Sequence, residues 1–180
     1  ALWLCWIAAW AAAALATKPS ARREPMLSRL LHLGPLALAV LLLWGPEPPV
    51  DALRARFVPP SLAIGWSGAA LVAAGLAFTV WARVHLGTNW SGIVTVKRGH
   101  ELVTSGPYAI VRHPIYSGLV LAFCGSALAL GEARGLLAVA IVFASLWRKL
   151  RLEERWMGEQ FGADYERYRA RVRALVPFVL

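Results

Sequence analysis

The chain has 180 residues, 58% of them hydrophobic, and its 19 Lys and Arg residues against 10 Asp and Glu residues give a net charge of +9. A soluble domain of this size is about half apolar, and here the excess apolar residues are grouped in blocks, which is typical of a membrane protein. The basic residues are spread over three separate segments, which argues against a nucleic-acid partner.

Five nearly uncharged blocks predict membrane-spanning helices, because a helix needs about 20 apolar residues to cross a bilayer. In chain order they cover residues 2–16, 27–44, 61–82, 114–130 and 136–147. No basic segment precedes the first block, so we expect a span with its N-terminus outside rather than a signal-peptide core. The sequence therefore predicts an all-α, polytopic membrane helix bundle with about five transmembrane helices.

The distribution of Lys and Arg gives this bundle an orientation. Sixteen of the nineteen basic residues lie in segments 17–29, 83–112 and 148–173, and three lie in segments 45–59 and 131–135. By the positive-inside rule, the first three segments are cytoplasmic. We expect a multi-pass integral membrane protein, in a bacterial inner membrane, with membrane lipids as partners.

The chain contains no internal repeat, so we predict a single membrane domain over residues 1–180. Segment 83–112 is rich in glycine and predicts a loop with a short extended piece. Segment 148–173 predicts a helix that continues out of the fifth span, is interrupted at Gly162 and ends by Pro177. The apolar tail after it is expected to fold back onto the bilayer or the protein.

Small residues recur in the third and fourth blocks, where they let membrane helices approach closely. The glycines concerned are Gly65, Gly68, Gly75, Gly118 and Gly125. We interpret them as helix-packing positions rather than ligand contacts.

The segment 106–118 combines an arginine, a histidine, two tyrosines and two prolines directly before the fourth apolar block. Ionisable groups at the mouth of a membrane segment are costly to keep there, so they indicate a functional site. Pro114 suits the first turn of a helix, since the N–H that it lacks would be unpaired there. Arg112 and His113 then lie just outside that helix start.

Cations at a helix N-terminus are electrostatically unfavourable. We therefore expect a compensating anion near Arg112 and His113, either an anionic ligand or one of the carboxylates Glu153 and Glu154. The alternative for these glutamates is a solvated helix face, in which Lys149 and Glu153 form an ordinary pair four residues apart.

The other histidines and the cysteines have weaker signals. His32 lies in a span and predicts a packed or hydrogen-bonded side chain, and His85 is interfacial without an evident partner. His100 flanks the Gly-Pro-Tyr turn and is a functional candidate together with His113. No ligand-like spacing indicates a metal site. Cys5 and Cys124 are expected to be buried, inert thiols.

The run Arg112-His113-Pro114-Ile115-Tyr116-Ser117-Gly118, preceded by Gly106-Pro107-Tyr108, resembles the signature of the isoprenylcysteine carboxyl methyltransferase family of integral membrane enzymes. Further matches follow in the family's order: Glu153-Glu154, Phe161-Gly162, Tyr165, Tyr168 and Val176-Pro177-Phe178. The resemblance covers residues 86–180, so the catalytic half of the domain is expected over about residues 83–180.

The resemblance implies S-adenosylmethionine as methyl donor, bound on the cytoplasmic side. The residues that it places around this cofactor are His100, Glu101, Leu102, Val103, Tyr108, His113, Pro114, Ile115, Tyr116 and Glu153. It assigns catalytic roles to Arg112, His113 and Lys149, and an acceptor-binding role to Lys149 and Arg148. Lys149 stands where some members have an arginine, which keeps the charge but loses the bidentate fork.

The implied reaction is methylation of the carboxylate of an isoprenylcysteine-like or other lipophilic acceptor, and the oligomeric state is left open. One alternative is an N-methyltransferase for a phospholipid or other amine lipid, in which His113 could act as base. Another is a nicotinamide-dependent membrane reductase, although such reductases typically have Asn at the position of Ile115. The sequence lacks Rossmann and Walker signatures.

Overall fold

The computed structural model describes residues 1–14, 20–23, 26–87, 95–97 and 102–177. Its helices are α1 Leu2–Ala14, α2 Met26–Trp44, α3 Asp51–Arg54, α4 Leu62–Leu86, α5 Pro114–Leu130, α6 Ala133–Phe161 and α7 Ala163–Arg171. A 3₁₀ turn at Gly106–Ala109 precedes α5. His100, Glu101 and Phe178 lie outside the described residues.

One small element departs from the predicted all-α class. Strands β1 Ser20–Arg23 and β2 Thr95–Lys97 pair antiparallel, with Ser20 opposite Lys97 and Arg23 opposite Thr95. The second strand lies at the short extended piece predicted for the loop. The architecture is therefore a helix bundle with a two-stranded ribbon.

Helices occur at all five predicted span positions. Two of them, α2 and α4, are 19 and 25 residues long and are long and apolar enough to cross a membrane. The apolar helices α1 and α5 have 13 and 17 residues, and α6 has 29, of which only the first half is apolar. A membrane helix bundle fits these lengths, and the number and direction of the crossings stay predictions.

The outward faces of these helices are apolar. Leu62 is 83% exposed and Trp66 74% exposed, and large apolar side chains are also exposed along α1 and α2. Soluble monomers rarely expose contiguous apolar faces of this kind, so these faces suit contact with lipid chains. Cys5 lies on such a face and is exposed, and Cys124 is half-buried, so the expectation of buried thiols was wrong for Cys5.

Glycines bring α4 and α5 into backbone contact. Gly68 and Gly75 are two turns apart on α4, and they face Gly125 and Gly118 on α5. A Cβ atom added to Gly75 would lie 2.5 Å from the carbonyl oxygen of Gly118, and one added to Gly68 would lie 2.6 Å from that of Gly125. The helix-packing interpretation is confirmed for these four glycines and was wrong for Gly65, where an added Cβ atom would meet nothing within 4 Å.

The α2–α6 contact contains polar side chains. His32 Nδ1 lies 2.9 Å from Ser145 Oγ, which confirms the hydrogen-bonded histidine expected in this span. One turn earlier on α2 and one turn later on α6, Arg148 Nη1 donates to Ser28 Oγ at 3.1 Å. Apolar residues of α6, including Val142 and Leu146, pack beside this seam in the main core.

The last part of the chain returns to the bundle. Helix α6 runs without a break to Phe161, and Gly162, with φ of 50°, allows the turn into α7. After α7, Val172 is extended, and Ala174 and Leu175 are buried in the main core. The interruption at Gly162 is therefore confirmed, and so is the return of the chain to the protein at Leu175; residues 178–180 of the tail lie outside the described residues.

We predict that Gly75→Ala lowers the free energy of unfolding by about 1–3 kcal/mol, because the new methyl group meets backbone that cannot move aside. Gly65→Ala on the same helix is the matched control, since its Cβ atom would meet nothing within 4 Å. Thermal unfolding of both variants in detergent checks this. Equal midpoints would contradict the close approach of α4 and α5.

Candidate functional site

The segment before α5 is held by backbone hydrogen bonds to the end of the chain. Arg112 N–H donates to the carbonyl of Arg173 at 2.8 Å, and His113 N–H donates to that of Ala174 at 3.0 Å. Pro114 then begins α5, as predicted, and is fully buried. The two residues before the helix therefore have a fixed backbone, which orients their side chains.

Arg112 forms a buried ion pair with Glu154 of α6. Its Nε donates to Glu154 Oε1 at 2.8 Å, its Nη2 donates to the same oxygen, and both side chains are 8% exposed. Nη1 donates to the carbonyls of Arg169, at 3.3 Å, and Val172. Glu154 is therefore a compensating carboxylate for the cation at the start of α5, and the same guanidinium also holds the end of α7.

Glu153, the neighbouring glutamate, faces the first turn of α5. Tyr116 donates its hydroxyl to Glu153 Oε1 at 2.6 Å, and His113 Nδ1 lies 3.5 Å from Oε2. The rings of His113 and Tyr116 are stacked, with centroids 5.4 Å apart. Lys149, one turn earlier on α6, places its Nζ 5.6 Å from the centre of the Tyr116 ring.

The two carboxylates differ in access and share the imidazole between them. The side chain of Glu153 is 24% exposed and that of Glu154 only 8%, so Glu153 is the one that a ligand can reach. His113 Nε2 lies 3.4 Å from Glu154 Oε1. This nitrogen is buried and makes no hydrogen bond of normal geometry within the described part of the chain, so the contact is mainly electrostatic.

The site favours the charged form of all three groups. Burial alone would lower the pKa of His113, but the two neighbouring carboxylates of Glu153 and Glu154 outweigh it and raise that pKa. Burial would raise the pKa of Glu154, but His113 and Arg112 outweigh it and lower that pKa to about 2. The pKa of Glu153 is also lowered, because His113, Lys149 and Tyr116 together exceed the effect of burial.

Tyr108 lies on the α4 side of this segment. Its ring stacks on that of His85, with centroids 6.4 Å apart, and His85 Nε2 lies 2.9 Å from Ser105 Oγ. His85, for which the sequence indicated no partner, therefore supports the turn that carries Tyr108. Burial is the main cause of the raised pKa of Tyr108, so this phenol stays neutral.

Two contacts at the site have no signal in the sequence pattern. Ser117 Oγ donates to the carbonyl of Leu175 at 2.6 Å. Tyr168 of α7 donates its hydroxyl to the carbonyl of Tyr108 at 2.6 Å. Tyr168 appeared in the resemblance, but its role as a backbone anchor follows only from the structure.

The structure brings five of the predicted site residues together and separates one from them. Arg112, His113, Tyr116, Lys149 and Glu153 lie in one cluster with Glu154. Arg148 does not join them, because adjacent helix residues point about 100° apart and its guanidinium binds Ser28 on α2. Its predicted acceptor-binding role therefore has no support in the structure. Of the remaining predicted cofactor contacts, Leu102, Val103 and Ile115 are half-buried.

These features define a class: a helical protein with two helices long enough to cross a membrane and a buried Arg–His–Glu–Glu cluster where two helices meet. The family model described as phospholipid methyltransferase matches residues 64–164, which include the whole cluster. The match covers more than half of the chain, and the chain belongs to this family.

Three relatives illustrate the similarity. The protein-S-isoprenylcysteine O-methyltransferase of Schizosaccharomyces pombe is 36% identical over 104 residues, covering 54% of this chain and 43% of the relative. The protein-S-isoprenylcysteine O-methyltransferase B of Arabidopsis thaliana is 34% identical over 104 residues, covering 54% and 51%. Methanethiol S-methyltransferase 1 of Bradyrhizobium diazoefficiens is 37% identical over 71 residues, covering 39% and 24%. The chain spans about half the length, or less, of these curated relatives.

We predict that Arg112→Gln and Glu154→Gln each lower the free energy of unfolding by about 3–5 kcal/mol, because each leaves a buried charge without its partner. The double variant should lose less than the sum, with a coupling of about 1–3 kcal/mol. Thermal unfolding of the four proteins in detergent measures this cycle. Strictly additive losses would mean that the pair does not hold α5 and α6 together.

Proposed function

We propose that this chain is a membrane methyltransferase that transfers the methyl group of S-adenosylmethionine to the carboxylate of an isoprenylcysteine-like or other lipophilic acceptor. The observation that carries the proposal is Glu153, an ionised and reachable carboxylate held by His113 and Tyr116 within the region that the family model matches. In this proposal the protein lies in a bacterial inner membrane with the site on the cytoplasmic face, where a soluble donor can reach it.

The residues present fit the donor. When bound, S-adenosylmethionine supplies an electrophilic methyl group on a sulfonium centre. Glu153 has lone pairs beyond the one that Tyr116 uses, so it can accept from an ammonium or hydroxyl group of the donor. Tyr116 and His113 hold this carboxylate in place, and Tyr116 also carries Lys149 over its ring.

The remaining donor contacts in the proposal are mainly apolar. The resemblance implies donor contacts from Tyr108, Pro114 and Ile115 in the chain that enters α5, and from Leu102 and Val103 before them. His100 and Glu101 complete the set implied by the resemblance, and they lie outside the described residues.

Lys149 is the cation proposed to orient the acceptor. It is buried, and its charge contributes to the lowered pKa of Glu153. A carboxylate acceptor is already ionised at neutral pH, so the reaction needs no general base. The protein then has to align the acceptor oxygen with the methyl group and to exclude water, and alignment alone can contribute several kcal/mol. Arg112 is engaged by Glu154, which makes it a positioning residue.

The apolar outer faces of the bundle suit a lipophilic acceptor, because its tail can stay in the bilayer while its head group enters the site. An amine acceptor is less well served. It would need a base, and the pKa of His113 is raised by two carboxylates, so this histidine retains its own proton at neutral pH more readily than an ordinary one.

We predict that Glu153→Gln and His113→Gln weaken binding of S-adenosylhomocysteine about 10- to 100-fold, the range expected for a lost charged hydrogen bond. Glu159→Gln, an exposed glutamate further along α6, is the matched control and should bind normally. Isothermal titration calorimetry on the detergent-purified proteins gives the affinities. Normal binding by both site variants would place the donor elsewhere.

We also predict that Lys149→Met raises the KM for a farnesylcysteine analogue at least about tenfold, because the acceptor carboxylate loses a buried charged partner. Lys149→Arg keeps the charge and should retain most activity. Steady-state methyl transfer, together with the S-adenosylhomocysteine affinity of each variant, separates acceptor from donor effects. An unchanged KM in the Met variant would remove Lys149 from the acceptor site.

A further inference from the structure

A cavity of about 250 Å³ lies beside Glu154 and is lined by none of Glu153, His113 and Tyr116. The Arg112–Glu154 ion pair forms part of its wall. Helix α6 contributes Trp147 and Arg151, and Arg169 of α7 and Arg173 just beyond it also line it. The cavity is partly open and is lined by the same two segments that anchor the start of α5, but by none of the groups proposed to bind the donor.

The charge around this cavity is unbalanced. Arg112 and Glu154 neutralise each other, which leaves the guanidinium groups of Arg151, Arg169 and Arg173. Among the described residues, the Arg169 guanidinium has only an exposed contact with Glu166, at 3.8 Å, and such surface pairs contribute little. Within the described ranges, the guanidinium groups of Arg151 and Arg173 have neither a hydrogen-bond nor an ion-pair partner. Three cations around one space repel one another, so a bound anion would stabilise them.

An apolar stripe leads to the cavity along α6. Leu136, Phe143, Trp147 and Arg151 follow at spacings of seven, four and four residues, which places them on one face of the helix. Leu136 and Phe143 are exposed, and the Phe143 and Trp147 rings are stacked with centroids 6.0 Å apart. Tryptophan favours the membrane interface, so this face passes from lipid-chain contact to headgroup contact at the cavity.

We propose that this cavity binds the phosphate of an anionic phospholipid, with Arg151, Arg169 and Arg173 around the phosphate and an acyl chain along the stripe from Leu136 to Trp147. Arginine suits a phosphate because its fork can donate two parallel hydrogen bonds. A zwitterionic lipid would bring its own cation into an already cationic cavity, so an anionic headgroup is selected. The lipid would join α6 to the segment whose Arg173 carbonyl accepts from Arg112 N–H.

The test compares lipid binding to the full chain by native mass spectrometry in detergent, with dioleoylphosphatidylglycerol and dioleoylphosphatidylcholine as probes. We expect the wild type to prefer the anionic lipid. The double variant Arg151→Gln/Arg173→Gln should bind it at least about tenfold more weakly, since a basic residue near an anionic headgroup contributes about 1 kcal/mol. Arg155→Gln/Arg171→Gln is the matched control, because it makes the same charge change at positions on α6 and α7 that are exposed like Arg151 and Arg173 but lie outside the cavity.

Three results would overturn the proposal. The first is equal affinity for the two lipids, and the second is an equal loss in the control variant, which would indicate general charge attraction. The third is displacement of the anionic lipid by either of two competitors. Displacement by millimolar glycerol 3-phosphate would assign the cavity to soluble phosphates. Displacement by a farnesylcysteine analogue would assign it to the acceptor. Retained S-adenosylhomocysteine affinity in the cavity variant distinguishes these outcomes from a failure of the proposed methyltransferase function.

Discussion

The arrangement of the site depends on one buried ion pair. The guanidinium of Arg112 binds Glu154 of α6 with two of its nitrogens and binds carbonyls at the end of α7 with the third. A charge this deeply buried is tolerated only when its partner and its remaining hydrogen bonds are in place. The start of α5, the second half of α6 and the last segment of the chain therefore have to assemble together.

The close approach of α4 and α5 has a related effect on the other side of the site. Because glycines face one another across this contact, the two backbones fix the height and rotation of α5 relative to α4. His85 near the end of α4 then meets Tyr108 ahead of α5. The chain entering α5 is thus held between the turn at Tyr108 and the return of the C-terminal segment, before any ligand binds.

Much of this could be predicted from the sequence, because the signals are local. Apolar blocks predicted the helices, Gly162 predicted the break after α6, and an unfavourable cation before a helix predicted a nearby carboxylate. The sequence could not show which of Glu153 and Glu154 pairs with Arg112, because that depends on how α6 is rotated. The same unknown rotation explains the misplacement of Arg148. Three further features could not be predicted: the hydrogen bonds of Ser117 and Tyr168 to backbone carbonyls and the pairing of β1 with β2. They join distant segments through main-chain groups, and main-chain contacts leave no pattern of residue types in the sequence.

The adjacent glutamates on α6 carry a constraint on chain length as well as on residue type. Glu153 faces the first turn of α5, and Glu154 pairs with Arg112. Their directions differ by the rotation of a single helical residue, about 100°. Inserting one residue earlier in α6 would turn both carboxylates by that angle. Neither carboxylate would then keep its own contacts. The distance along the helix from Glu132, which precedes it, to Glu153 is therefore fixed in units of helical rotation, so natural variation in this helix should preserve its residue count even where its apolar residues change.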